Sequence, residues 1–262
     1  MITATGRSAT RFDRTGACGH LLALLLLGFI SAACAAVSPS PVLMPPTAVL
    51  PDDLADHRWH VVRLRMAWAP DTEPRWFVDS LLANEVMAPV LRRHGSDVSL
   101  WRFHRRARRD DAGHQFSFIF YAPPDPAMAI GRAIEESQSL LRLKDAGVVV
   151  SVSAGQWGGP DGGKALSATS DANWSASMQR AWPLYIEGVS RLWLALIEDA
   201  KDATGVSDAP DDMDTWLALY RDIDAAVIAV WQEEGRHALL HHLNAIFGYE
   251  PIPVVERRLL RF

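Results

Sequence analysis

Hydrophobic and polar positions change period several times along the chain. Ten residues from Leu21 to Ile30 carry no polar side chain. From Trp59 to Trp68 the pattern alternates, with His60, Val62, Leu64, Met66 and Trp68 on one side and Trp59, Val61, Arg63 and Arg65 on the other. That period of two predicts a strand with one apolar and one basic face. Behind Pro70 and Pro74, Phe77, Leu81, Leu82, Val86 and Val90 recur at helical spacing and predict a helix over 75–93. Strands follow over 98–105 and 115–121, split by the polar turn 106–114. A helix over 127–143, between Pro126 and Gly147, leads to a strand over 148–153.

The order strand, helix, strand, strand, helix, strand predicts an α+β fold of the ferredoxin-like βαββαβ kind, with right-handed crossovers and one hairpin. After a Gly/Ser-rich linker (154–173) the pattern turns helical, over 182–203 and 214–247. The expected organisation is therefore a leader over 1–33, a Pro-rich tether over 34–56, the sheet domain over 57–153 and the linker over 154–173. An α-helical C-terminal module over 174–248 and an arm over 249–262 complete it. The fold class hosts many unrelated activities and by itself selects none.

The apolar run near the start is too short for a comfortable membrane span, which takes about 20 residues. It follows Arg7, Arg11 and Arg14 and precedes Ser31-Ala32-Ala33-Cys34. A basic segment, a short apolar segment and small residues describe a secretory signal peptide. The string ending at Cys34 resembles the lipobox of bacterial lipoproteins, although Ser31 stands where that family favours an aliphatic residue. The resemblance implies diacylation of Cys34, and Ala35 in place of Asp implies outer-membrane sorting. Cleavage after Ala33 without acylation, or retention of the segment as an anchor, are the alternatives. Pro39, Pro41, Pro45, Pro46 and Pro51 then favour an extended tether of about 20 residues and about 60 Å. The only other cysteine, Cys18, lies in the leader, so the body carries no thiol.

Composition adds exclusions more than identity. The chain has 262 residues, 49% of them hydrophobic, and a net charge of −5, which argues against a disordered protein and against a dedicated nucleic-acid binder. Charge is uneven: 57–109 holds eleven Arg and no Lys against five acids, and acids predominate after Asp171. The basic hairpin with Arg102, Arg105, Arg106, Arg108 and Arg109 is a candidate surface for an anionic lipid or an acidic envelope partner.

One further polar pattern bears on chemistry. Glu233, His237 and His241 share a sector of a helix, and histidines at i and i+4 with a carboxylate a turn earlier can converge on a metal. The HExxH signature is absent, and a solvent-facing polar stripe explains the same spacing. Gly158 to Lys164 fits GxxxxGK, but Ala165 replaces the Ser or Thr that would hold Mg²⁺. No GxSxG elbow occurs and no motif implies a cofactor. The sequence thus predicts an exported, lipid-anchored envelope protein that acts by binding or assembly. A metal-dependent periplasmic enzyme built on Glu233, His237 and His241 is the alternative.

Overall fold

The computed structural model describes Leu54 and residues 56–159 and 162–252. The leader, Cys34, nearly all of the tether and the arm beyond 252 lie outside the described residues. Four strands form one antiparallel sheet: β1 (Arg58–Met66), β2 (Leu100–Ala107), β3 (His114–Ala122) and β4 (Val149–Gln156), in the order β2-β3-β1-β4. The protein is a mixed α/β fold with this sheet at its centre.

Strand parity assigns the faces. Val62, Leu64 and Met66 of β1, Trp101 and Phe103 of β2, and Phe116, Phe118 and Phe120 of β3 form the main core under the helices. The first connection contains α1 (Trp76–Leu82), a π-helical turn (Ala83–Met87) and α2 (Ala88–His94). Pro89 has no amide to bond back one turn, and the wider turn before it absorbs the mismatch. The helix expected over 127–143 is two helices, α3 (Pro124–Glu135) and α4 (Gln138–Asp145). The chain becomes extended at Ser137 (φ −60°, ψ 125°), which ends one helix and starts the next.

The C-terminal helices, expected as a module of their own, join this same core. In α5 (Ala176–Ala203) Leu194 and Ile197 are buried in it, and in α6 (Met213–Gly235) so are Trp216, Leu217, Tyr220, Ile223 and Val227. Helix α6 packs on α1, and α5 packs on β2. Helix α5 begins six residues before the expected start because Ser175 caps it, its hydroxyl accepting from the Met178 amide at 3.2 Å. A π-helical turn (Arg236–His241) and α7 (His242–Ile246) follow α6.

The stretch expected as a linker is also part of the fold. Ala154–Gln156 extend β4, and beyond them Trp157, Leu166 and Ala168 pack against Trp59, Val61, Leu100, Ile119 and Tyr121 on the second sheet face. Trp59 Nε1 donates to the Leu166 carbonyl at 3.0 Å, and Tyr121 Oη donates to that of Lys164 at 2.8 Å. Gly163 makes the return possible. Its φ is +76°, and a Cβ there would stand 2.8 Å from the Trp157 carbonyl oxygen.

Candidate functional site

The second sheet face is divided. Its half near Trp59 and Leu100 is closed by Trp157, Leu166 and Ala168, and the other half is open. Register places two rows of side chains there. Ser153, Arg63, Ser117 and His104 form one, and Ser151, Arg65, Gln115 and Arg106 form the next. Arg65, His104, Ser151 and Ser153 are exposed, and Arg63 and Arg106 are half-buried. Arg63 and Arg65 pair with no described carboxylate, whereas Arg106 makes a two-pronged contact to Asp110, at 3.1 and 2.6 Å. That contact holds the Asp110 carboxyl down to about 2. Desolvation, followed by the Arg102 and Arg106 charges, lowers His104 below the usual imidazole value.

The structure divides the hairpin arginines singled out in the sequence between the two sheet faces and the turn. Arg102 is buried beneath residues 166–169, where Nη2 donates to the Thr169 carbonyl at 3.3 Å and burial pushes its pKa down to about 10. Arg105 points to the opposite face, half-buried and paired with Asp79. Arg109 stacks 3.4 Å over the Trp68 ring and donates to the Thr72 carbonyl at 2.7 Å. Only Arg106 joins the open face, and Arg108 stands out to solvent at the turn with 80% of its side chain exposed. Alternation along β2 explains the split, since successive side chains take opposite faces.

Arg105 belongs to a buried polar network that the sequence reading missed. Its Nε lies 2.9 Å from Asp79 Oδ2, its Nη2 donates to the Trp76 carbonyl at 2.7 Å, and Asp224 Oδ1 is 3.8 Å away. His114 Nε2 approaches Asp79 Oδ1 to 3.1 Å, but the angle does not make a hydrogen bond, and His114 Nδ1 is also unbonded. Trp68 and Trp76 cover the imidazole edge-on. The Ser80 hydroxyl donates to Asp224 Oδ1 at 2.6 Å, so no serine–histidine pair exists for nucleophilic attack here.

One turn along, the Tyr220 hydroxyl donates to Glu85 and accepts from Asn84 Nδ2 at 2.6 Å, while Lys201 Nζ sits 2.7 Å from Glu85. The sequence did carry a signal for both groups. Tyr220 and Asp224 interrupt the apolar stripe of α6 one turn apart, opposite Ser80 and Asn84, which are one turn apart on the first helical rod. Polar residues at matched spacing on two buried stripes are partners for each other.

The metal candidates are only partly brought together. His237 and His241 stack with ring centres 5.1 Å apart, and His242 closes on both at 5.4 and 5.3 Å. Tyr249 Oη lies 3.3 Å from His241 Nε2. Glu233 stays exposed on α6, before the π-helical turn that shifts the register of the histidines. Among the described residues no group of three or more His, Cys, Asp or Glu is arranged to hold a metal ion.

Two other features are simpler. The loop Gly158–Lys164 has Gly158, Gly159 and Gly163 at positive φ and leads into a single 3₁₀ turn, Leu166–Thr169, without a helix whose N-terminus could receive phosphate. A groove of 670 Å³ runs between α3 and the β1–β4 side of the sheet. His60, Phe120, Met128, Gly131 and Arg132 line it, and no tryptophan does. Burial lowers His60 below the ordinary imidazole value, and its ring stacks on Phe120 at 5.6 Å. Compared with known protein families, curated proteins and solved structures, the chain matches none.

Proposed function

We propose that the chain is an exported cell-envelope protein, acylated at Cys34 and held at the outer membrane facing the periplasm, whose folded body acts by binding. The observation that carries the binding reading is the division of polar groups. Asp79, Arg105, Glu85, Tyr220 and Lys201 are engaged with one another inside the helical layer, whereas half of the outer sheet face presents cations and hydroxyls to solvent. The export reading rests on the Arg-rich start, the run Leu21 to Ile30 and the residues around Cys34. No described helix is long and apolar enough to cross a membrane, and the attachment proposed here is the lipid on Cys34.

The sheet supports reading the body as a ferredoxin-like fold. The order β2-β3-β1-β4, with every neighbour antiparallel, is what two split βαβ units joined by a hairpin produce. In this reading α5 and α6 are additions that widen the helical layer.

Mass spectrometry of the N-terminal peptide from membrane-extracted protein tests the anchor. A diacylated Cys34 as the first residue is the expected result, with release into the soluble fraction in Cys34→Ser. An unmodified Cys34, or a mature start at another residue, overturns the lipoprotein reading.

A further inference from the structure

Arg63 and Arg65 are two residues apart on β1, so their side chains leave the same face about 7 Å apart. On either side β4 offers the exposed Ser153 and Ser151 and β3 the half-buried Gln115, with Ser117 buried between Arg63 and His104, and β2 adds His104 and Arg106 two strands away, about 10 Å across. The result is a flat field with cations at its centre and neutral hydrogen-bonding groups between and around them. Its one described carboxylate contact is Asp110, which is committed to Arg106.

Flatness and composition select the occupant. The three grooves described, beside α3, beside α2 and beside α5, are lined by other side chains, and strand alternation lays these two rows out side by side across the sheet. Neither row contains a Phe, Tyr or Trp, and the one indole beside them, Trp157, lies against the Arg63 guanidinium at 5.8 Å. A planar array of anionic headgroups meets the field without requiring depth. Each arginine close to such a surface gains from the local potential, and hydroxyl and amide groups can hydrogen-bond phosphate oxygens.

We propose that the open half of the outer sheet face docks on the anionic phospholipid surface of the membrane to which the chain is tethered, with Arg63 and Arg65 as its central contacts. The proposal rests on the lipid-anchored reading, which supplies the nearby membrane. A tether of about 60 Å when extended leaves the body free to stand away or lie down, and the sheet face fixes the lying orientation. The contact set differs from the hairpin cluster suggested by sequence: Arg106 is common to both, Arg102 is buried, Arg105 pairs with Asp79 on the opposite face, and Arg109 stacks on Trp68.

The test uses the full-length chain carrying Cys18→Ser and Ser153→Cys, with a fluorophore on residue 153 and vesicles that contain a headgroup quencher. One vesicle set is phosphatidylcholine, and the other includes phosphatidylglycerol. Cosedimentation reads anchorage, mass spectrometry reads the state of Cys34, and quenching reads docking. The expected result is quenching on the anionic set only. The Arg63→Gln/Arg65→Gln double variant should lower the docking equilibrium about 30-fold, roughly fivefold per arginine. Salt at about 1 M should abolish docking, because screening then acts over about 3 Å. Arg132→Gln, on α3 at the opposite sheet face, should change it less than twofold, and circular dichroism confirms that each variant is folded.

Equal quenching on neutral vesicles, or quenching unaffected by the double variant, overturns the docking and leaves the anchor standing. Anion-dependent quenching with an unmodified Cys34 overturns the anchor and keeps the docking. Absence of both cosedimentation and quenching overturns both. If a single-stranded oligonucleotide binds the chain and that binding is lost in the same double variant, the face is a nucleic-acid surface and the membrane proposal falls.

Discussion

Arg105 on β2 reaches through the helical layer to Asp79 on α1, placing its Nε 2.9 Å from a carboxylate that has no solvent exposure. The guanidinium is also sandwiched by aromatic rings, 5.2 Å from that of Trp76 and 4.6 Å from that of Trp193. Removing it leaves Asp79 buried with only the misaligned His114 contact. Arg105→Met is therefore expected to cost about 3 kcal/mol, the scale for stripping one partner from a buried ion pair. Lysine cannot replace it, since one side-chain fork bonds both Asp79 and the Trp76 carbonyl. Urea unfolding of Arg105→Met beside Arg108→Met checks this. A loss in Arg105→Met no larger than that of the exposed control contradicts the structural role given to this pair.

The Tyr220 phenol imposes a pH limit. Burial first, and then the Glu85 charge and the hydrogen bond to it, raise its pKa well above the ordinary value of 10.0. The folded state therefore holds this proton where the unfolded chain releases it. By linkage its contribution is complete below pH 10 and declines as pH rises above it. Stability measured from pH 8 to pH 11 should fall more steeply in the wild type than in Tyr220→Phe, which has no phenol to ionise. Parallel curves for the two proteins would show that Tyr220 titrates normally.

At the sheet edge, the Phe103 amide points away from β3 and donates to Ser190 Oγ at 3.0 Å, while that hydroxyl donates to the Ile186 carbonyl at 2.8 Å. Helix α5 thus supplies one of the partners that a neighbouring strand would have given and covers an edge open to intermolecular pairing. Ser190→Ala leaves a buried amide unpaired and should cost about 1–2 kcal/mol. Amide hydrogen exchange gives the local readout: Phe103 protection should drop while that of Phe118, in the sheet interior, follows only the global change. Unchanged protection at Phe103 would mean that the edge does not depend on Ser190.

The parts of this fold that were legible in the sequence are those where one physical requirement dominates. The alternation Val62, Leu64, Met66 against Arg63 and Arg65 is visible because over this half of β1 one face is buried and the other meets solvent. The same parity in β2 puts Arg105 with Trp101 and Phe103, toward the core, and Arg102, His104 and Arg106 on the other face. Grouping the arginines by proximity in sequence hid that division. The break at Ser137 and the π-helical turn before Pro89 depend on how helices meet their neighbours, which local propensity does not encode. Residues 157–169 looked like a linker because their glycines and serines resemble one. Trp157 and Leu166 mark them as a packed segment once Trp59 and Tyr121 are known to await cover.

Arg102 carries the sharpest contrast, because it sits three residues from Arg105 and should respond in the opposite way. It is 8% exposed, its one described hydrogen bond is 3.3 Å long to the Thr169 carbonyl, and its Nε has none. No described carboxylate balances its charge, and its pKa near 10 still leaves it cationic at neutral pH. The native state thus bears a desolvation cost with little Coulomb return. A methionine of similar length fills the same space beneath residues 166–169 without that cost. Arg102→Met should leave stability unchanged or raise it by about 1 kcal/mol, measured by urea unfolding at pH 7. A loss comparable to that of Arg105→Met would show that Arg102 has a charged partner in the folded protein, and the closed half of the outer face would then have to be assigned as an ionic contact.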